Sequence, residues 1–401
     1  MGSTILLFFS LQVASSHQLR VGEQHEYRNP AEAALKATPG DTILIAPGTY
    51  TGQDFFLKLG GTGEAPVTIK AETEGKTIFL GGCTAFQFTA PSYLILDGIV
   101  FTQQTCNGVN IDDGGKSQTP AHHIVIQNCV WNGMNATGNN DELKLSGLQN
   151  FVIRKCRFMN GSKGGSMIDM VGCHQGVIEE NYFEHSGSNC IQIKGGSSDI
   201  IIQRNRFTDG GERAINIGGS TGQPFFRPAG TKYEASAITV CSNIFVGGIV
   251  PVAFVGSINC EVINNTIIRP QKWVVRILQE NTAAGMELCS KNRFRNNLIV
   301  VTSAVQIAIN VGPKTVPESF DFSNNLWFSA ETGLRNDFQV PGHETGRIVN
   351  ADPLFADENY RLKSSSPAIG KGFAVHHPAN DYFNKPFNTN RAIGAVEYEG
   401  N

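Results

Sequence analysis

"NCIQIKGGSSDIIIQRNRF" (residues 189–207) carries two signals that recur along the chain. Ile191 and Ile193 alternate with Gln192 and Lys194 before a pair of glycines. Period-two alternation predicts a strand with one dry face and one wet face. Asn205 then opens "NRF", and this second signal is the more informative one.

The pieces "QNCVW", "RKCRF", "EENYF", "QRNRF", "CSNIF", "INNTI", "RNNLI" and "SNNLW" align on their third residues. These are Cys129, Cys156, Asn181, Asn205, Asn243, Asn265, Asn297 and Asn325. Their spacings are 27, 25, 24, 38, 22, 32 and 28 residues. A baseline near one coil with occasional insertions is the mark of a solenoid. A buried Asn at each corner can bond to the adjacent coil and tolerates left-handed backbone, so the series predicts an asparagine ladder. Cys129 and Cys156 fit its first rungs as small buried hydrophobes.

Paired apolar residues repeat in the same way: Phe86/Phe88, Val109/Ile111, Leu143/Leu145, Ile168/Met170, Ile191/Ile193, Ile215/Ile217, Val252/Phe254 and Val275/Ile277. The predicted fold class is all-β, a right-handed parallel β-helix. Residues 31–50 begin with a helical pattern and turn at Pro39-Gly40 into a strand, as expected of an N-terminal helical cap. After about residue 338 the repeat fades into an irregular C-terminal cap. Residues 19–401 are read as one domain.

Bulk properties agree. Charged residues make up only 17% and glycines number 44, as in a turn-rich β protein. A net charge of −3 gives no global attraction for nucleic acid or an acidic polymer, so recognition of a polyanion would need a local basic patch. The apolar run 4–14, followed by small residues, predicts a signal peptide over 1–18 and a secreted or periplasmic protein. No later run approaches the ~20 apolar residues of a membrane span. Nine cysteines, an odd number, argue against a complete disulfide framework. A monomer is expected.

Wet-face residues between the apolar pairs should stack into one column: Gln87, Asn110, Lys144, Asp169, Gln192, Asn216, Ala253 and Arg276. Glu142 and Lys194 flank it one step to either side. The plainer reading is a row of solvated strand residues. Against it stands an acid between two lysines on successive strands, with outward faces elsewhere expected to lack adjacent opposite charges. Insertions at 112–121, 132–141 and 218–236 leave the coil beside these strands, and the last brings Phe225, Phe226, Arg227, Lys232 and Tyr233. Aromatic and cationic side chains together suit a sugar bearing a carboxylate or sulfate.

The stretches 39–82 ("PGDTILIAPGTY…FLGG") and 93–102 ("YLILDGIVFT") resemble the N-terminal coils of the β-helical polysaccharide lyases that include alginate lyases and chondroitinase B. In that group a strand with acidic calcium ligands and a following lysine base precedes a strand ending in Arg-His-Gly. The resemblance puts Asp169 near the acidic ligands and Lys194 in the place of the arginine. The lysine base has no counterpart in its place, and His174 and Lys144 are the nearest substitutes.

The leading expectation is β-elimination on a uronate polymer. It requires neutralising the carboxylate and a base that reaches C5. Catalytic candidates are Lys194, Lys144, Asp169, Arg213 and His174, with Lys194 or Lys144 as base. Sugar-binding candidates are Gln192, Asn216, Arg227, Phe225 and Arg276, with Arg276 and Arg213 pairing the carboxylate. Asp141, Glu142 and Asp169 are candidate calcium ligands. Two alternatives stand beside it. One is a glycoside hydrolase using Glu142 and Asp169; the other is a glycan-binding β-helix without catalysis.

Overall fold

The structure, a computed structural model, describes residues 16–331, 338–375 and 377–400. The apolar run 4–14 lies outside the described residues. Each coil gives one strand to each of three sheets, here numbered in the order a coil visits them. Sheet I has 10 strands, sheet II 14 and sheet III 12. One coil runs Leu143–Ser146 in sheet I, Leu148–Arg154 in sheet II and Arg157–Met159 in sheet III. Each strand pairs in parallel with its equivalent in the next coil. This is the parallel β-helix expected from the repeats.

The corner between sheets II and III explains the repeated asparagine. Asn205 Oδ1 accepts from Asn181 N and Nδ2, both at 3.0 Å. Asn243 Oδ1 accepts in turn from Asn205, Asn265 from Asn243, Asn297 from Asn265 and Asn325 from Asn297. Each Nδ2 also donates to a carbonyl one coil back, as Asn205 does to Ile178 O. The left-handed conformation falls one residue earlier than the sequence reading had it. Glu180, Arg204, Ser242, Asn264, Asn296 and Asn324 carry φ of 52–57°, while the ladder residues that follow them are not left-handed. Cys129 and Cys156 are buried rungs, as expected. Glu344 closes the far end by accepting from Asn325 Nδ2 at 2.7 Å.

The interior is layered. The apolar pairs of sheet I are all buried and stack in register. Behind them Phe101, Trp131, Phe158, Phe183, Phe207 and Phe245 form a ring stack with centroids 4.7–5.1 Å apart. That spacing matches one coil per ~4.8 Å. Cys83 and Cys106, on adjacent coils, form a disulfide. The other seven cysteines are free and buried.

At the N-terminal end the helix Pro30–Ala34 starts at Asn29, whose side chain accepts from Glu32 N, and it buries Ala33. Asp54 Oδ1 accepts from Ala31 N at 3.3 Å, tying helix to first sheet-I strand. The coil continues past residue 338, since Glu344–Thr345 and Ile348–Val349 extend sheets II and III. The remaining C-terminal segment folds back along the outside of sheet III. There Ala392, Ile393 and Ala395 pack on Ile244, Ile268 and Leu298.

Two stability outcomes follow. Asn205→Ala removes the acceptor for two buried Asn181 donors and should cost about 2–4 kcal/mol in denaturant unfolding. A loss below about 1 kcal/mol would show that the main-chain ladders hold the coils without the amides. Burial raises the Asp54 pKa from 3.8 to about 6. The folded protein therefore binds a proton more tightly than the unfolded chain, and stability falls as pH rises through that window. Asp54→Asn keeps the acceptor for Ala31 N without the charge. It should raise the free energy of unfolding at pH 8, by at most about 3 kcal/mol, and lose that advantage by pH 4. An equal effect at both pH values would refute this account of Asp54.

Candidate active site

The register places the predicted column as expected. Gln87 pairs with Asn110, Asn110 with Lys144, Lys144 with Asp169, Asp169 with Gln192, Gln192 with Asn216, Asn216 with Ala253 and Ala253 with Arg276. Short strands with two inward apolar residues leave the intervening side chain nowhere to point but out of sheet I. Lys194 stands in the neighbouring column, opposite Val171.

A charge cluster forms at its centre. Lys144 Nζ bonds Asp169 Oδ2 and lies 3.2 Å from Asp141 Oδ2. Lys194 Nζ lies 3.2 Å from the same Asp169 Oδ2. Both carboxylates are buried, whereas both lysines retain some exposure to the groove. Burial alone would lower the Lys144 pKa, but attraction to Asp169 and Asp141 outweighs it and raises the value. Lys144 is thus a fixed ammonium, which corrects the expectation that it could serve as base. The Asp141 pKa is raised by burial and by the Asp169 charge, against the pull of Lys144. Adjacent opposite charges also occur along sheet II and its corner, contrary to expectation: Arg295 pairs with Glu261 and Asp321, and the corner residue Arg204 with Glu179. The sheet-I cluster differs in that its acids are fully buried.

Glu142 departs from the sequence reading. It lies before the strand proper and is fully buried, and neither carboxylate oxygen has a hydrogen-bond partner. Burial pushes its pKa well above the usual range, with Asp141 adding to the rise. It is a neutral core acid, off the exposed ridge. The three proposed calcium ligands therefore do not converge, because an ammonium bridges Asp141 and Asp169 while Glu142 is turned inward. Among the described residues no group of three His, Cys, Asp or Glu side chains is arranged to hold a metal.

The sugar-binding candidates divide. Gln192 remains on the column, accepting from Asn189 Nδ2 at 3.1 Å. Asn216 is buried instead, donating to Gly218 O and accepting from Arg213 Nη1. Arg213 is held by Glu280 at 2.7 Å. Arg276 bonds Asn310 and stacks 4.5 Å over Trp273, a residue the sequence reading passed over. Four strands separate Arg276 from Asp169, about 19 Å at ~4.8 Å per strand. The two cannot serve the same sugar carboxylate.

At the rim the chain turns from sheet I to sheet II in a single step. Gly172 has φ +61°, and a β-carbon there would sit 2.5 Å from Arg227 Cβ, so the corner admits only glycine beneath the loop 218–236. Arg227 spans this corner to a buried carboxylate, with Nε 2.5 Å and Nη2 3.0 Å from the Asp113 oxygens. It fastens the two loops together and is not a free sugar-binding cation, which corrects that assignment. Glu234 secures the loop base, accepting from Gly195 N, Thr221 N and Oγ1, and Asn281 Nδ2. Phe226 is buried under the loop, whereas Phe225 is 61% exposed. Neither Asp113 nor Glu234 was singled out from sequence, where a lone acid in a polar loop carries no signal.

His174 lies around the corner, in a cavity of ≈ 610 Å³ that it shares with Gln149, Asp199, Arg227 and Tyr233. Burial lowers its pKa. Its Nε2 lies 3.1 Å from Arg227 O and its Nδ1 3.0 Å from Ser198 Oγ. A carbonyl only accepts, so Nε2 carries the proton, while Nδ1 lies against Ser198 Oγ, which donates to Asp199. Neither nitrogen faces the charge cluster.

Residues 27–203 match the family model described as Chondroitinase B. Among solved structures, the crystal structure of pectate lyase Pel9A superposes with a TM-score of 0.59 at 16% identity, covering 97% of this chain and 98% of that one. The PL6 family polysaccharide lyase Pedsa3628 from Pseudopedobacter saltans gives 0.52 at 16%, covering 95% and 99%. XylC in complex with xylose gives 0.58 at 10%, covering 96% and 99%. At such identities the likeness speaks for the fold. No curated protein sequence matches the chain. Over residues 27–203 the chain carries the Chondroitinase B pattern, and its resemblance to the β-helical polysaccharide lyases is borne out.

Proposed function

We propose that this protein is a polysaccharide lyase that cleaves a uronate-containing polymer by β-elimination on the face of sheet I. One observation carries the reading: two lysines converge on one buried carboxylate, Asp169, on the outer face of sheet I. The match of residues 27–203 to the Chondroitinase B model supports it. Lys144, held as a cation by Asp141 and Asp169, offsets the charge that builds on the substrate carboxylate as C5 loses its proton. Lys194 takes that proton. The C4–O bond breaks, a C4–C5 double bond forms, and Lys194 returns the proton to the departing oxygen.

Lys144 pairs with both Asp141 and Asp169, and on this reading cleavage should continue in chelator. Loss of activity on chelation would restore calcium to the mechanism. Work outside the cytoplasm is supported by the Cys83–Cys106 disulfide and by the apolar run 4–14. No helix among the described residues is long and apolar enough to cross a membrane.

Incubation with alginate, pectate and glycosaminoglycans should yield the ultraviolet absorbance of an unsaturated uronate on at least one of them. New reducing ends without that absorbance would instead show a hydrolase. Lys194→Ala and Lys194→Arg should both lose at least about 10³-fold in kcat, since arginine keeps the charge but gives up no proton. A small primary amine should partly rescue the alanine variant. Lys144→Arg should keep activity within about tenfold, because its role is charge. Equal losses for the two arginine variants would sink the division of roles. Glu142→Gln should leave kcat within about twofold, whereas an acid working in hydrolysis would lose 10²-fold or more.

A further inference from the structure

The first strand of sheet I, Asp54–Leu57, buries Asp54 and Phe56 and turns Phe55 and Leu57 outward. Phe55 is 64% exposed and Leu57 74%. Exposed large apolar residues paired on one strand are unusual on a soluble surface and mark a place where something binds. Their register is informative. Phe55 pairs with Gln87 and so heads the column of Asn110, Lys144 and Asp169. Leu57 pairs with Thr89 and heads the neighbouring column, which runs through Asp112, Ser146 and Val171 to Lys194.

A second observation points to the same place. Leu57 lines a cavity of ≈ 500 Å³ together with Lys58, Lys116 and His122. An apolar wall with cations at its edge suits an acidic sugar. The flat C–H face of the ring lies on Phe55 or Leu57, and its carboxylate meets an ammonium.

We propose that Phe55, Leu57, Lys58 and Lys116 form a distal subsite for an acidic sugar of the same polymer chain whose reacting unit sits at Lys144, Asp169 and Lys194. The inference rests on the lyase reading above and adds the direction and length of the bound substrate. Three strands separate Phe55 from Lys144, and five separate Leu57 from Lys194, about 14 and 24 Å at ~4.8 Å per strand. One strand step is close to the length of one pyranose. The polymer then lies across the strands, parallel to the axis of the solenoid, and only chains of about five sugars or more reach both places. The enzyme is thereby selective for long substrates through residues remote from the chemistry.

The experiment compares wild type with the Phe55→Ala/Leu57→Ser double variant, following unsaturated product from intact polymer and from defined tri- and octasaccharides. The double variant should raise KM at least about tenfold for polymer and octasaccharide. It should leave kcat within twofold and the trisaccharide unaffected, and a labelled octasaccharide should bind the Lys194→Ala protein more weakly when the two changes are added. An unchanged KM on polymer overturns the subsite. So does an equal rise for the trisaccharide, which would indicate a general disturbance. Sedimentation showing that the double variant merely dissociates a dimer, with KM unchanged, would assign the patch to a second copy of the chain. Absence of unsaturated product from wild type on every uronate polymer would overturn the lyase reading, and the subsite with it.

Discussion

The structure depends on a strict register between successive coils. Parallel main-chain pairing allows each strand to match its neighbour in only one way if the apolar pairs are to stay inside, since a slip of one residue would turn every side chain to the other face. The asparagine ladder enforces the match from within, because each carboxamide must meet the backbone N–H of one particular residue in the adjacent coil. The ring stack behind it repeats at the same spacing. Insertions are thereby confined to corners, where they lengthen loops without shifting any strand.

That rigidity makes a row of outward side chains into a site. Lys144, Asp169 and Lys194 are far apart along the chain, yet the register sets them on consecutive strands within ion-pair distance. Lys144 and Lys194 both reach the buried carboxylate of Asp169, and Lys144 also reaches Asp141. Removing either lysine would leave Asp169 with less compensation in a place where water cannot supply it. Arg227 and Glu234 are spent in holding the loops down.

Much of this is legible from periodicity. The paired isoleucines and phenylalanines, the spaced asparagines and the column through Lys144 and Asp169 all follow from counting residues, because a solenoid converts sequence period into position. What resists such reading is whatever happens at corners. Glu142 precedes its strand by one residue, and strict alternation would point it outward; the chain is still turning there, and it goes into the core. Arg227 looks like a free cation until its partner Asp113, 114 residues away, is brought beside it by two loops. The charge state of Lys144 depends on Asp141, which also lies before the strand. Phe55 escaped notice because its strand comes before the repeats that set the column.

The central claim is that a uronate chain reacts over Lys144, Asp169 and Lys194 on sheet I. The most direct measurement is a crystal structure of the Lys194→Ala protein with an acidic oligosaccharide bound. The account predicts sugar density along the Gln87–Arg276 column, with the C5 hydrogen of one unit facing the space left by the Lys194 amine. Density confined to the cavity around His174, with the column bare, would contradict it.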